Sequence, residues 1–434
     1  MINVLLYILY LLLILSAFKK YSFFKHSSLS FQLLLFFFVL KICSSFVMYA
    51  IYSYYYTDRG TADIFKYYDD ANILYNQLFY KNPLEYIQLL LGINQDSPLI
   101  YNALQETNFW YKPREFNIYN DNRTIIRLNM LIRILSNNFY HIHALIITFI
   151  SFIGLLSIYK TFLFFFKQHS KLIAAAVFVI PSVLFWSSAN LKEGLLIGGL
   201  GIFIWMFVQL LHFYNSFKRK LFIASILFIS GSLLIVIKPY ILIVSIPSLL
   251  AWVIVKKKNN VKPFYIFLVT HLILIISSLI IHKIIPSINI VQNITFKNND
   301  FINVANDTKA GSSFTINKLD GSITSVIKNS FPAFINNFIR PYPSECNSIF
   351  VTLACVENYS ILTLVLLALF YIIKNKQTIL PIQYYSLYIS LLLGIIIGLI
   401  VPVFGASVRY KIPYLPFLVP TLLLMVYQHK HLKK

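Results

Sequence analysis

Acidic side chains are scarce in this chain of 434 residues. It carries 15 Asp and Glu against 37 Lys and Arg, and residues of either charge make up only 12% of it. Hydrophobic residues make up 58%, and the mean hydropathy is +0.71. This balance excludes an ordinary soluble globular domain and indicates a protein that crosses a membrane many times.

Cysteine is nearly absent, and no internal repeat is visible. Cys43 falls in an apolar run, whereas Cys346 and Cys355 lie outside such runs. These two residues either form a disulfide in an oxidising compartment or remain two thiols. Without a repeat, the inverted symmetry typical of secondary transporters has no support in the sequence.

Eleven apolar runs are candidates for helices that cross about 30 Å of hydrocarbon. No basic residue precedes the first run and no small-residue cleavage site follows it, so we expect it to be retained as a span. The predicted fold class is an all-α polytopic membrane protein with about 11 transmembrane helices and two large extracytoplasmic loops that contain amphipathic helices. The runs cover about residues 2–18, 31–52, 139–159, 172–190, 195–213, 221–237, 240–255, 264–281, 359–373, 383–402 and 411–428.

Basic residues cluster in alternate loops between these runs. Short loops rich in Lys and Arg stay in the cytoplasm. We therefore expect an integral protein of the bacterial inner membrane, with its amino terminus outside and its carboxyl terminus in the cytoplasm. All 15 acidic residues then fall on the outer side. The net charge of +22 follows from this arrangement and needs no nucleic-acid partner.

The two long connections divide the chain into five predicted segments. Residues 1–52 hold the first two spans, and residues 53–138 form the first extracytoplasmic loop with an acidic, aromatic helix. Residues 139–281 hold spans three to eight, and residues 282–358 form the second loop. Residues 359–434 hold the last three spans and a basic cytoplasmic tail.

The first loop contains the stretch "ADIFKYYDDANILYNQLF", residues 62–79. On a helix, Asp63 and Asp70 share a face, whereas Asp69 lies about 100° away from Asp70. A carboxylate there is a candidate general base for a sugar hydroxyl. It is equally a candidate ligand for Mg²⁺ or Mn²⁺, in which case Asp69 and Asp70 would hold the ion. The alternative is an ordinary helix start with acids near its positive end.

Two short outer turns carry candidate anion-binding groups. In "WSSANLKEG", Lys192 could bind a lipid phosphate while Glu193 orients it, or the two could form a headgroup-level pair in a simple hairpin. In "VIKPYI", Lys238 is a lone cation in the tightest turn, and snorkelling at the end of a span is its structural explanation.

Two further candidates follow later in the chain. In "FIRPYPSEC", the prolines stiffen the backbone around Arg340 and Glu345 and fix the direction of their side chains. In "VFGASVRYKIPY", Arg409 and Tyr410 stand at the outer end of the last span, where an Arg suggests an anionic partner or interfacial snorkelling. Cations for a diphosphate and carboxylates for a hydroxyl together favour transfer from a polyprenyl-phosphate-linked sugar.

The stretches "DIFKYYDDANILY" and "GASVRYKIPYLPFLVP" resemble regions of the polytopic membrane glycosyltransferases of the GT-C class. That class has an acidic first outer loop and an Arg-Tyr-Pro region near its end. The resemblance implies Asp69 or Asp70 as the base, and Arg409 and Lys192 as binders of the donor phosphate. The class usually places the acidic loop after its first span, whereas here the loop follows the second.

Three functions are therefore compatible with the sequence. The first is a glycosyltransferase that uses a polyprenyl-linked sugar donor and a glycan or lipid acceptor of the cell envelope. The second is an O-antigen or capsular polysaccharide polymerase, whose substrate is a lipid-diphosphate-linked oligosaccharide. The third is a flippase or transporter of such lipids, which makes no bond. Membrane lipids are expected partners in all three.

Overall fold

The computed structural model describes residues 1–56, 58–93, 96–111, 121–213, 216–258, 261–285 and 289–431. These residues form helices joined by turns and loops, and none of them lies in a strand. One isolated antiparallel bridge joins Ser313 to Val403. The predicted all-α class is confirmed.

Nine of the described helices are long and apolar enough to cross a membrane, which identifies an integral membrane protein. A tenth span results if the bent pair Phe404–Tyr410 and Leu415–Tyr427, with 72° between its helices, is counted as one. The nine are Ile2–Lys20, Phe31–Tyr55, Tyr140–Phe165, Lys192–His212, Phe217–Ile237, Pro239–Lys257, Pro263–Lys283, Ile349–Asn375 and Pro381–Ile400. The predicted count of eleven is not reached among the described residues. The shorter helices are Ser22–Lys25, Asp63–Leu74, Pro83–Leu91, Pro98–Gln105, Asn122–Ser136, Ser170–Phe178, Pro181–Trp186, Ile290–Asp307 and Ile323–Phe338.

The predicted run at 172–190 is divided into the helices Ser170–Phe178 and Pro181–Trp186. Pro181 has no N–H and a fixed φ, so it ends one helix and begins the next. A short helix leaves carbonyl groups without partners at its end, and these need donors in an apolar setting. The carbonyl of Leu184 accepts hydrogen bonds from the hydroxyls of Ser188, at 2.7 Å, and Ser44, at 3.1 Å.

The chain forms two compact units, and the first comprises residues 1–161 and 184–239. In it, the helices Tyr140–Phe165 and Lys192–His212 approach so closely that a Cβ on Gly201 would overlap the carbonyl of Gly154. Small residues permit such contact between apolar helices. The helix Asp63–Leu74, hereafter the acidic helix, packs on Asn122–Ser136.

The second unit comprises residues 162–183 and 240–434. The helices Ile323–Phe338 and Pro381–Ile400 pack in close contact, because a Cβ on Gly398 would overlap the carbonyl of Ala333. Cys346 and Cys355 are both free thiols in this unit. Each unit therefore has its own closely packed helix pair.

Candidate functional site

The acidic helix buries the face that the sequence pattern marks as apolar. Ile64, Tyr67 and Leu74 are at most 2% exposed. Asp70 lies on the same stripe, one turn after Tyr67, and is fully buried as well. Its two carboxylate oxygens accept backbone hydrogen bonds from Asn108, at 3.0 Å, and Phe109, at 2.8 Å.

Burial raises the pKa of the Asp70 carboxyl from 3.8 to about 6, although the two backbone N–H groups favour the ionised form. A carboxylate with this pKa is poised for proton transfer near neutral pH. Both of its oxygens are nevertheless occupied and closed to solvent. In this structure, Asp70 holds the loop at residues 108–109 against the acidic helix.

Asp69 points in a different direction from Asp70. It pairs with Arg59 through two hydrogen bonds of 2.9 and 2.6 Å, and both side chains are partly exposed. The Arg59 guanidinium also lies over the ring of Phe65, 4.2 Å from its centroid. Because the two acids hold different partners, their arrangement does not fit a shared divalent-cation site. Within the described ranges, no group of three or more His, Cys, Asp or Glu is placed to bind a metal ion.

Asp63 begins the acidic helix and shares a face with Tyr67, one turn later. Its carboxylate is one-third exposed and lies 3.2 Å from the ammonium of Lys66. The ammonium of Lys192 sits 5.5 Å from the centroid of the Tyr67 ring. Tyr67 therefore has the partly exposed carboxylate of Asp63 one turn before it on the acidic helix, and the buried ammonium of Lys192, from another helix, near its ring.

Lys192 is the first residue of its helix and is 9% exposed. Its ammonium donates to Asp121 at 2.7 Å and to Asn122 at 3.0 Å, so the cation is already paired. An anionic ligand at Lys192 would have to share the ammonium with Asp121 or displace it. Neither partner was nominated from the sequence, because a contact across about 70 residues leaves no local pattern.

Glu193 and Lys238 face each other. Their charged groups are 3.5 Å apart, and both side chains are almost completely buried. Removing either partner would leave a buried charge without compensation, a strongly destabilising change. Lys238 therefore compensates Glu193 inside the first unit and does not simply snorkel at the end of a span.

A buried hydrogen-bond chain fastens the acidic helix in place. The amide nitrogen of Asn129 donates to Asn190 at 3.0 Å, so its oxygen accepts from His143 Nδ1 at 2.7 Å. The other ring nitrogen, Nε2, then accepts from the hydroxyl of Ser136 at 2.8 Å. Asn190 in turn donates to the carbonyl of Ile64. Ser136 is fully buried, so this series of hydrogen bonds links helices and the Ser136 hydroxyl is not presented as a nucleophile.

In the second unit, Arg340 and Glu345 form a compact ion pair. The guanidinium donates to the Glu345 carboxylate at 2.9 and 2.5 Å, and the same carboxylate accepts from the backbone N–H of Tyr342 at 2.8 Å. The guanidinium also lies over the ring of Phe314. Both side chains of the pair are about one-fifth exposed, so the turn presents a fixed charge pair at its surface.

Arg409 and Tyr410 are both half-buried, and Tyr410 packs edge-on against Phe301. The next residue, Lys411, is more deeply placed, at 2% exposure, and its ammonium donates to Asn358 at 3.0 Å. Asn358 in turn donates to the carbonyl of Arg340. Sequence reasoning missed Lys411 because Arg409 seemed the more unusual residue. A Lys at the start of the apolar run at 411–428 was the available signal.

Each unit therefore gathers some of the predicted residues. The first places Lys192 beside Tyr67, one turn from Asp63, and pairs Glu193 with Lys238, while the second pairs Arg340 with Glu345. No family model, no curated protein and no solved structure matches the chain.

Proposed function

We propose that this protein is a membrane glycosyltransferase. It would move a sugar from a polyprenyl-phosphate-linked donor to a glycan or lipid acceptor at the outer face of the bacterial inner membrane. The observation that carries the proposal is the placement of Asp63 and Lys192 around Tyr67, at the end of a candidate span. Such a site offers a base and a cation on one side of a short helix.

In the proposed step, Asp63 takes the proton of the acceptor hydroxyl. The acceptor oxygen then bonds to the anomeric carbon while the bond from that carbon to the phosphate oxygen breaks. The phosphate leaves with the electron pair and an added negative charge, which the Lys192 ammonium stabilises. The GT-C resemblance points to Asp69 or Asp70 as the base. We favour Asp63 because it lies one turn before Tyr67, the residue beside which the Lys192 ammonium lies.

The test is sugar transfer by the full-length protein in proteoliposomes, with lipid-linked sugars extracted from the producing cells as donors. Release of polyprenyl phosphate is measured by mass spectrometry. We expect Asp63→Asn to lower turnover by about 100-fold or more, as the loss of a general base does. Asp69→Asn is the matched control, since it makes the same change on the same helix, and most activity should remain. Full activity of Asp63→Asn would refute the assignment of the base.

A polysaccharide polymerase is a second candidate, favoured by the Arg340–Glu345 pair. This pair fixes a partly exposed guanidinium in a proline-rich turn, where it could hold a lipid-linked diphosphate. Arg340→Gln would then shorten the surface polysaccharide and leave single repeat units intact on gels. An unchanged chain-length ladder would exclude this candidate and leave the transferase proposal standing.

A further inference from the structure

Two of the three cysteines of the chain come together in the second unit. Cys346 directly follows Glu345, and Cys355 lies nine residues further on, in the helix Ile349–Asn375. Their thiols are neighbours that interact directly with each other. Cys43, the remaining cysteine, belongs to the first unit. A chain this poor in cysteine therefore holds two of its thiols side by side.

The segment at residues 340–346, hereafter the Arg340 turn, lies along the first turns of this helix. Val351, Cys355 and Asn358 share the buried stripe of the helix, since they follow one another by four and three residues. The side chain of Asn358 donates to the backbone carbonyl of Arg340, which anchors the start of the turn on that stripe. The end of the turn brings Cys346 to Cys355, one turn of helix before Asn358.

The two thiols differ in their access to solvent. Cys346 is partly exposed, whereas Cys355 is 7% exposed. In such a pair the accessible thiol exchanges with an external disulfide, and the buried thiol then completes the new bond. Lys374 stands in the last turn of the same helix, at the end far from the thiols. In the proposed orientation that basic end is cytoplasmic, so the thiols face the outer compartment, where disulfides persist.

We propose that Cys346 and Cys355 form a reversible disulfide that fastens the Arg340 turn to its helix. The oxidant is a disulfide of the outer compartment. The Cys346 thiol loses its proton and attacks one sulfur of the oxidant, which forms a mixed disulfide and releases the first thiol of the oxidant. The Cys355 thiol then loses its proton and attacks the Cys346 sulfur, which releases the second thiol. The two cysteines lose two electrons and two protons, and the oxidant gains them.

Oxidation changes how firmly the end of the turn is held. In the reduced protein the Cys346 thiol donates to the carbonyl of Tyr342 at 3.6 Å, a weak hydrogen bond. A disulfide closes the loop at residues 346–355 and removes its open conformations. Glu345 precedes Cys346 and binds the Arg340 guanidinium, so the redox state also sets how rigidly this ion pair is presented. The inference does not depend on sugar transfer.

The pairing is tested on the full-length Cys43→Ser protein in nanodiscs, equilibrated in buffers from reduced to oxidised glutathione. Free thiols are then blocked with N-ethylmaleimide, and the peptide that contains both cysteines is weighed by mass spectrometry. We expect the two thiols to disappear together, and the peptide to become two hydrogen atoms lighter without carrying glutathione. A mixed disulfide with glutathione on either cysteine as the final product would overturn the pairing.

The matched control carries Cys355→Ser together with Val356→Cys. This change moves the second thiol by one residue, about 100° around the helix, to a position whose native side chain is 60% exposed. The same buffers should leave Cys346 of the control bound to glutathione. Equal yields of the internal disulfide in the control and in the native pair would show chance encounter of mobile thiols and refute the proposal.

Hydrogen exchange tests the fastening of the turn. We expect a peptide covering residues 342–348 to exchange about tenfold more slowly, or slower still, in the oxidised form than in the reduced form. Peptides of the first unit are the internal reference and should not change. Equal exchange in the two forms, with the disulfide present, would overturn the effect on the turn. Neither readout uses sugar transfer, so this inference and the proposed function can fail separately.

Discussion

The substitution Asp70→Asn tests whether Asp70, and not its neighbour Asp69, holds the loop at residues 108–109 in place. In the wild type, the two carboxylate oxygens accept the backbone N–H groups of Asn108 and Phe109. An asparagine offers one acceptor oxygen, so its amide nitrogen would face the second N–H. A buried N–H left without a partner costs about 1 to 3 kcal/mol.

Global stability is a poor measure of this loss because a second effect opposes it. The difference between a pKa of 3.8 and one of about 6 corresponds to about 3 kcal/mol against the ionised carboxylate of Asp70 at neutral pH. Asparagine carries no charge and avoids this cost. The two effects are of similar size, so the variant should unfold at nearly the same temperature as the wild type.

Hydrogen exchange measures the local effect directly. A loss of 1 to 3 kcal/mol at the loop corresponds to exchange that is faster by about fivefold to over a hundredfold in a peptide covering residues 104–111. The matched control is Asp69→Asn, which breaks an exposed pair with Arg59, worth about 0 to 1 kcal/mol, and leaves the loop contacts in place. Unchanged exchange in Asp70→Asn, or an equal increase in the control, would refute the reasoning.

Three further outcomes are expected. Gly201→Ala places a methyl group against the carbonyl of Gly154, and overpacking of this kind costs about 1 to 3 kcal/mol, whereas Gly405→Ala meets nothing within 4 Å and should leave the thermal midpoint unchanged. The Asp70 carboxyl has a higher pKa folded than unfolded, so its protonation stabilises the fold at low pH and that contribution is lost as the pH rises through about 6. Relative to Asp70→Asn, the wild type should gain about 1 kcal/mol between pH 7 and pH 5 in thermal unfolding, and parallel pH profiles would contradict this. Phe165→Cys in a chain without other cysteines should react with an impermeant maleimide only from the cytoplasmic side, and labelling only from outside would overturn the proposed orientation.

Apolar length and periodicity predicted much of the fold. Nine of the eleven runs found in the sequence coincide with the nine long helices, since a span needs little beyond length and apolarity. The run at 172–190 was misread as a continuous helix, although Pro181 stands near its middle. At the end of the second helix, the hydroxyls of Ser188 and Ser44 donate to the carbonyl of Leu184.

The pairing of charges was much harder to predict. That Asp70 turns inward while Asp69 turns outward follows from its place on the stripe of Tyr67 and Leu74, and periodicity alone could have given it. No local pattern indicates that Lys192 meets Asp121, because their contact depends on how distant segments pack. The sequence therefore predicts which charged residues stand in unusual positions. It does not predict which of them are paired with an opposite charge.

The compensation of buried charge separates the lysines of this chain by role. Five are buried among the described residues, namely Lys41, Lys160, Lys192, Lys238 and Lys411. Two of them face carboxylates. Lys41 donates to the hydroxyl and the carbonyl of Ser187, Lys160 donates to the carbonyl of Phe23, and Lys411 donates to the amide oxygen of Asn358. An anionic ligand at either carboxylate-paired lysine must compete with a fixed charge of its own sign. At Lys41, Lys160 and Lys411 no carboxylate lies within 4 Å among the described residues, so neutral acceptors alone satisfy these buried ammonium groups at hydrogen-bond distance.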